Sequence, residues 1–240
     1  MQYDTSGEDL YRIQSTGIAS KVSYAGVQWL TVRPDGKDWR FEAHVRYTRD
    51  GPDGRAGAQA RFVQILHPDG TIADGSDDDP DFLTILNQPF AVHLDAATLR
   101  DLRALHGKAP FAATSPLGAQ AVLHGYLRPA PAGPIDGHST AAVKFDAAGA
   151  MTGPLPGSAQ TLVAGTMRME GTAYYAVDSA TLLALQVTLT LDARLTQSGG
   201  GTLPVRIFYR RWMRAIAIDP KTPLPTPLAT GAGTALHAVP

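Results

Sequence analysis

Residues 161–196 read TLVAGTMRMEGTAYYAVDSATLLALQVTLTLDARLT, and the spacing of their apolar side chains decides the fold. Val163, Gly165, Met167, Met169, Gly171, Ala173, Tyr175 and Val177 take the odd positions of the first half, with Thr166, Arg168, Glu170 and Thr172 between them. Leu183, Leu185, Val187, Leu189, Leu191, Ala193 and Leu195 do the same in the second half, alternating with Gln186, Thr188, Thr190, Asp192 and Arg194. A period of two puts successive side chains on opposite faces of a strand, so each half predicts a strand with one apolar and one wet face. Asp178-Ser179-Ala180-Thr181 between them has turn chemistry. The result is an antiparallel hairpin with arms of roughly 16 residues, about 50 Å long at the usual rise, several times an ordinary strand.

Outward from the hairpin the same pattern recurs. Trp39, Phe41, Ala43, Val45 and Tyr47 alternate with Arg40, Glu42, His44, Arg46 and Thr48, and the run lies between turns at Pro34-Asp35-Gly36-Lys37 and Gly51-Pro52-Asp53-Gly54. Tyr11 and Ile13 fall in one phase and Ile18, Val22 and Tyr24 in the other, which predicts a bulge at Gly17. The strand over 60–67 is apolar on both faces and is expected to be the best covered. Strands also follow from Ala119 to Arg128, through Ala141, Val143 and Phe145, and from Val205 to Met213, with a loop over 147–158. A helical insert is expected at about 79–107, where Asp79-Pro80 and Asp95 are capping signals and Leu99, Leu102 and Leu105 share a face. The polar residues 1–9 read as a loose N-terminus, 10–215 as one β domain, and the proline-rich 216–240 as a disordered tail. The fold class is therefore mainly β: a long-stranded antiparallel curved sheet or open barrel with one or two short helices inserted mid-chain.

Composition narrows the function classes. The chain has 240 residues, 44% of them hydrophobic, and a net charge of −1, without the basic excess of a nucleic-acid binder. No run of about 18 apolar residues offers a transmembrane helix. Met1-Gln2-Tyr3-Asp4 lacks the charged-then-apolar pattern of a signal peptide, which points to the cytoplasm or to a mature segment whose signal has been removed. The absence of cysteine excludes disulfides, thiol catalysis and cysteine-ligated metal.

No phosphate loop, dinucleotide fingerprint, zinc-protease helix or Gly-x-Ser-x-Gly elbow occurs. Asp74, Asp77, Asp78, Asp79 and Asp81 make an acidic loop without calcium-loop spacing, read as solvated rather than metal-binding. The seven histidines show no paired ligand spacing, and Ser115 reads as a turn residue. No metal and no cofactor are expected. The last strand is the most suggestive. Arg206, Phe208, Arg210, Trp212 and Arg214 occupy one face, and Val205, Ile207, Tyr209, Arg211 and Met213 the other. Arginines interleaved with aromatics suit an anionic group, while an edge strand protected by charge has the same pattern and is the plainer reading. Met167 and Met169 fit an adaptable binding surface or, more ordinarily, core filling.

Long one-sided strands, a mid-chain helical insert and a second run of long strands resemble the LolA/LolB-like lipoprotein carriers of the bacterial envelope. The resemblance is one of pattern over 10–215, with no signature motif. It implies an open, strongly curved antiparallel sheet around helices, an apolar ligand cavity and a periplasmic or cell-envelope setting. The function expected is non-enzymatic binding of a lipid-like or other apolar ligand in the concavity, with Met167, Met169, Tyr175, Leu185 and Leu189 along its wall and Arg210, Trp212 and Arg214 near an anionic head. A structural scaffold that recruits an envelope protein partner is the rival, and an enzyme is expected less.

Overall fold

The computed structural model describes residues 1–17, 19–68, 72–73, 100, 108–114, 122–130, 132–155 and 158–225. Eleven strands follow one another: β1 (Gln2–Ile13), β2 (Ala19–Asp35), β3 (Asp38–Gly51), β4 (Gly54–Leu66), β5 (Ile72–Ala73), β6 (Ala109–Thr114), β7 (Val122–Ala130), β8 (Thr140–Leu155), β9 (Ser158–Ala176), β10 (Leu182–Gln197) and β11 (Thr202–Ala215). They form one antiparallel sheet in the order β5-β4-β3-β2-β1-β11-β10-β9-β8-β7-β6, and the sheet is not closed into a barrel. The chain starts mid-sheet, meanders to one margin, resumes at the other and meanders back, so that its last strand lies beside its first. The helical insert expected at 79–107 and the acidic loop 74–81 lie outside the described residues, apart from Arg100, which is helical.

Turn chemistry sets most registers. Asp35 pairs with Asp38 around a two-residue turn in which Gly36 has φ +65°, a value costly for any residue with a Cβ. The β9–β10 pairing runs from Leu182↔Tyr175 to Gln197↔Thr161, the long hairpin expected from the alternation. Its odd residues Val163, Met167, Met169, Ala173 and Tyr175, and Leu183 to Ala193, are buried. Even residues such as Arg168, Glu170 and Gln186 face outward.

The inward face forms a lattice whose rows follow from the registers. Its central row runs Phe145–Gly171–Val187–Arg211–Gly7–Tyr24 across β8, β9, β10, β11, β1 and β2. The next row runs Ala147–Met169–Leu189–Tyr209–Asp9–Val22. Two glycines in the central row make room for large neighbours. A Cβ on Gly171 would meet the Phe145 ring, and one on Gly7 would lie 2.6 Å from Cδ of Arg211.

Several expectations are corrected. Residues 2–9, expected to be loose, belong to β1, which pairs along its length with β2 and β11 at the middle of the sheet. The periodicity was hidden there because the inward positions include Thr5, Gly7 and Asp9 rather than apolar residues. Gly17 (φ +69°) lies in the β1–β2 connection rather than at a bulge, and 147–155 continue β8 rather than forming a loop. In β4 only Ala60 is buried among the residues whose burial is described, because its outer neighbour β5 pairs at just Ile65 and Leu66. β11 is a central strand, so its arginines do not protect an edge. The start of the tail is ordered against the sheet: Ile218 is buried, Tyr174 donates its hydroxyl to the Pro225 carbonyl at 2.9 Å, and Leu224 packs on the core. Residues 226–240 lie outside the described part.

Candidate functional site

The eight residues expected around a ligand fall on two faces. Met167, Met169, Tyr175, Leu185 and Leu189 point inward and are sealed in the core. Arg210, Trp212 and Arg214 point outward, because their even positions pair with Glu8, Ser6 and Asp4 on β1 and with Thr188, Gln186 and Ala184 on β10. The strand itself therefore separates the two groups, and the arginines cannot hold the head of a molecule lying on the inward wall. Two arginines of this outer face have other work. Arg214 Nη1 donates to the carbonyls of Asp219 (2.8 Å) and Thr222 (2.7 Å), fastening the segment after β11, and Arg206 pairs with Asp192 on β10.

The polar centre that the structure does assemble uses Arg211, the one charged residue in the apolar phase of β11. Its side chain lies over Gly7, its direct partner on β1, and reaches Asp9, where Nη1 donates to Oδ1 at 2.5 Å. Both residues are 0% exposed. Tyr24 on β2 donates its hydroxyl to Oδ2 of Asp9 at 2.9 Å, and Tyr11 donates to the same oxygen at 3.3 Å. The guanidinium also donates to the carbonyls of Arg210 (2.9 Å) and Glu8 (3.2 Å) and sits 4.9 Å from the centre of the Tyr24 ring. An ion pair out of water is tolerable only with this degree of hydrogen bonding. Burial, and then the negative charge of Asp9 and the bond to it, push the Tyr24 phenol well above its ordinary range. It is therefore a fixed donor near neutral pH rather than a base. Nearby on the inward face, Thr5 Oγ1 is buried with no hydrogen-bond partner among the described residues.

Sequence reasoning missed this centre although a signal existed. Arg211 stands in phase with Val205, Ile207, Tyr209 and Met213, and Asp9 in phase with Tyr3 and Tyr11. A lone opposite charge in the apolar phase of each of two strands invites their pairing, but only once the strands are known to be neighbours.

The inward face reaches solvent at the end of the sheet where β2 finishes. A cleft of about 310 Å³ is lined there by Met1, Tyr3, Leu30, Val32 and Leu182, together with the β9–β10 turn. Tyr3 marks its floor, its hydroxyl 3.3 Å from the Leu182 carbonyl and pushed above its ordinary range by burial. The volume is at the low end of small-molecule sites, and the apolar side chains share the walls with Thr31 and Thr181. Among the described residues no cluster of His, Asp or Glu is arranged to hold a metal, and no helix is long and apolar enough to cross a membrane. Ser115, His93, His106 and His237 lie outside the described residues. No protein-family model matches the sequence, and no curated protein shows significant similarity to it.

Proposed function

We propose that the chain is a non-enzymatic binding protein that takes a lipid-like or other apolar molecule at the open end of its inward face. The observation that supports this is the cleft itself: Tyr3, Leu30 and Leu182 of the buried wall and the partly exposed Val32 at its margin line an opening at the end of the inward face. A sheet with one apolar face gains by covering any part of it that stays wet, at about 25 cal/mol per Å². The cell-envelope setting belongs to the same reading and rests on the pattern resemblance to the LolA/LolB-like carriers.

A rival scaffold role is favoured by a different observation. Met167, Met169, Leu185 and Leu189 are packed as tightly as any core and leave their part of the wall no room for a guest. One experiment separates the two readings. Protein purified without detergent is examined by native mass spectrometry and titrated with a fluorescent fatty acid, beside Val32→Trp, which fills the cleft from a partly exposed position. Carriage predicts saturable binding by the parent, weakened about tenfold or more in the variant, with unchanged circular dichroism. Absence of co-purified lipid together with no binding by the parent leaves the scaffold.

A further inference from the structure

The outer face carries a second recognition surface on β2, β3 and β4, independent of the inward cleft. The registers lay out its side chains in three rows: Gln2–Trp29–His44–Arg61, Asp4–Val27–Arg46–Gln59 and Ser6–Ala25–Thr48–Gly57. A groove of about 850 Å³ runs over this array, within the range of small-molecule sites. Its floor is low because Ala25 is small and Gly57 has no side chain, and nothing lies within 4 Å of where a Cβ on Gly57 would stand. Trp29 stands along it, 38% exposed, which is unusual for a side chain of this size. The ring is held by stacking on His44, with centroids 5.7 Å apart and planes 26° apart.

We propose that this groove binds a glycan chain bearing carboxylate groups, with Trp29 as the stacking platform and Arg46 as the carboxylate ligand. Three features select that chemistry. A rigid, half-exposed indole offers a flat apolar surface with a polar edge, which suits a ring that is itself apolar on its faces and polar at its rim. Gln2, Gln59 and Thr48 place neutral donors and acceptors along a lining that is otherwise mostly apolar, which matches a sugar ring with apolar faces and a rim of hydroxyls. Arg46 is exposed at the centre of the array, without an ion pair among the described residues. No carboxylate lines the groove; Asp4, across from Val27, lies outside the lining. The guanidinium fork is thus available for bidentate contact with an acidic substituent.

Across the floor of the groove β2, β3 and β4 pair with one another, so recognition there falls to side chains. The outer flank of β4 pairs with β5 only at Ile65 and Leu66 among the described residues, so a peptide added there as a strand is the competing ligand, which the hexaglutamate titration distinguishes.

The test is calorimetric titration of the full chain with hexagalacturonic acid, with cellohexaose as the neutral glycan and hexaglutamate as the acidic peptide. Binding of hexagalacturonic acid is expected, and Trp29→Ala, Arg46→Gln and Gly57→Leu should each weaken it by roughly tenfold or more. Gly57→Leu fills the groove from an exposed position with open space around it, so it blocks the site without disturbing the core. Circular dichroism and melting of each variant confirm that the fold is kept. The proposal is overturned by absence of binding to hexagalacturonic acid, by binding that the three folded variants retain, or by equal affinity for cellohexaose or hexaglutamate.

Discussion

Phe145 over Gly171 and Arg211 over Gly7 occupy the same row of the inward face, with Val187 between Gly171 and Arg211. On the β8–β9 side, a large apolar ring needs only the space that the glycine leaves. On the β1–β11 side, the guanidinium needs that space and also partners from two strands, the Asp9 carboxylate of β1 and the ring of Tyr24 on β2, whose hydroxyl in turn donates to Asp9. The contrast teaches that the same steric device supports two kinds of contact. The apolar one tolerates many neighbours, whereas the charged one tolerates a single register. That matters because β8 and β9 are neighbours in sequence, while β1 and β11 are joined by no turn and their ion pair spans 202 positions of chain. A hairpin takes its register from its turn, but the seam between the two ends of the chain must take it from side chains.

The largest expected effect breaks the charged side of the comparison. Asp9→Ala leaves Arg211 buried without its counter-ion and should cost about 3–5 kcal/mol in urea unfolding. Replacing both groups, as Asp9→Leu with Arg211→Met, should recover most of that loss, and hydrogen exchange of the β1 amides then reports whether the register is still unique. Full loss in the double variant, as large as in Asp9→Ala, would mean that the site cannot accept an apolar filling at all. The two glycines give a smaller and more symmetrical test. Gly171→Ala and Gly7→Ala each push a Cβ into the large neighbour and a backbone carbonyl, and each should cost about 1–3 kcal/mol by overpacking. Thermal melts of the two variants show whether the ring and the guanidinium yield equally. A null effect at Gly7 would show that Arg211 has a second resting place.

The smallest effect near neutral pH, and one that grows only in base, comes from the tyrosines. Burial pushes Tyr3, Tyr24 and Tyr175 above the ordinary range near 10, with Asp9 adding to the shift at Tyr24. Above that range the unfolded chain loses phenolic protons that the folded chain retains. Their contribution to stability is therefore fully present below about pH 10 and is lost as pH rises past it. Tyrosinate absorbance should rise together with unfolding rather than before it, and Asp9→Asn should bring the Tyr24 titration to lower pH. Free titration of all the tyrosines with the fold intact would contradict their burial.

Much of the sheet was legible in the sequence. The alternation in 161–196 identified both faces of β9 and β10, and Trp39 to Tyr47 identified those of β3, because a strand writes its two faces into every second residue. β1 was illegible for the same reason: its inward positions hold Thr5, Gly7 and Asp9, which only a neighbouring strand can satisfy. The expected binding residues came from composition within single strands, and so Arg210, Trp212 and Arg214 were grouped with side chains that point the other way.

By itself the sequence determined that the chain forms long antiparallel strands with one apolar face, since periodicity is a local property that survives without knowledge of partners. Only the tertiary structure decided that the first strand lies against the last, that Arg211 meets Asp9 across the seam, and that Trp29, Arg46 and Gly57 share one groove. Those facts depend on lateral neighbours and on the register between strands, and nothing in the spacing along a single strand encodes them.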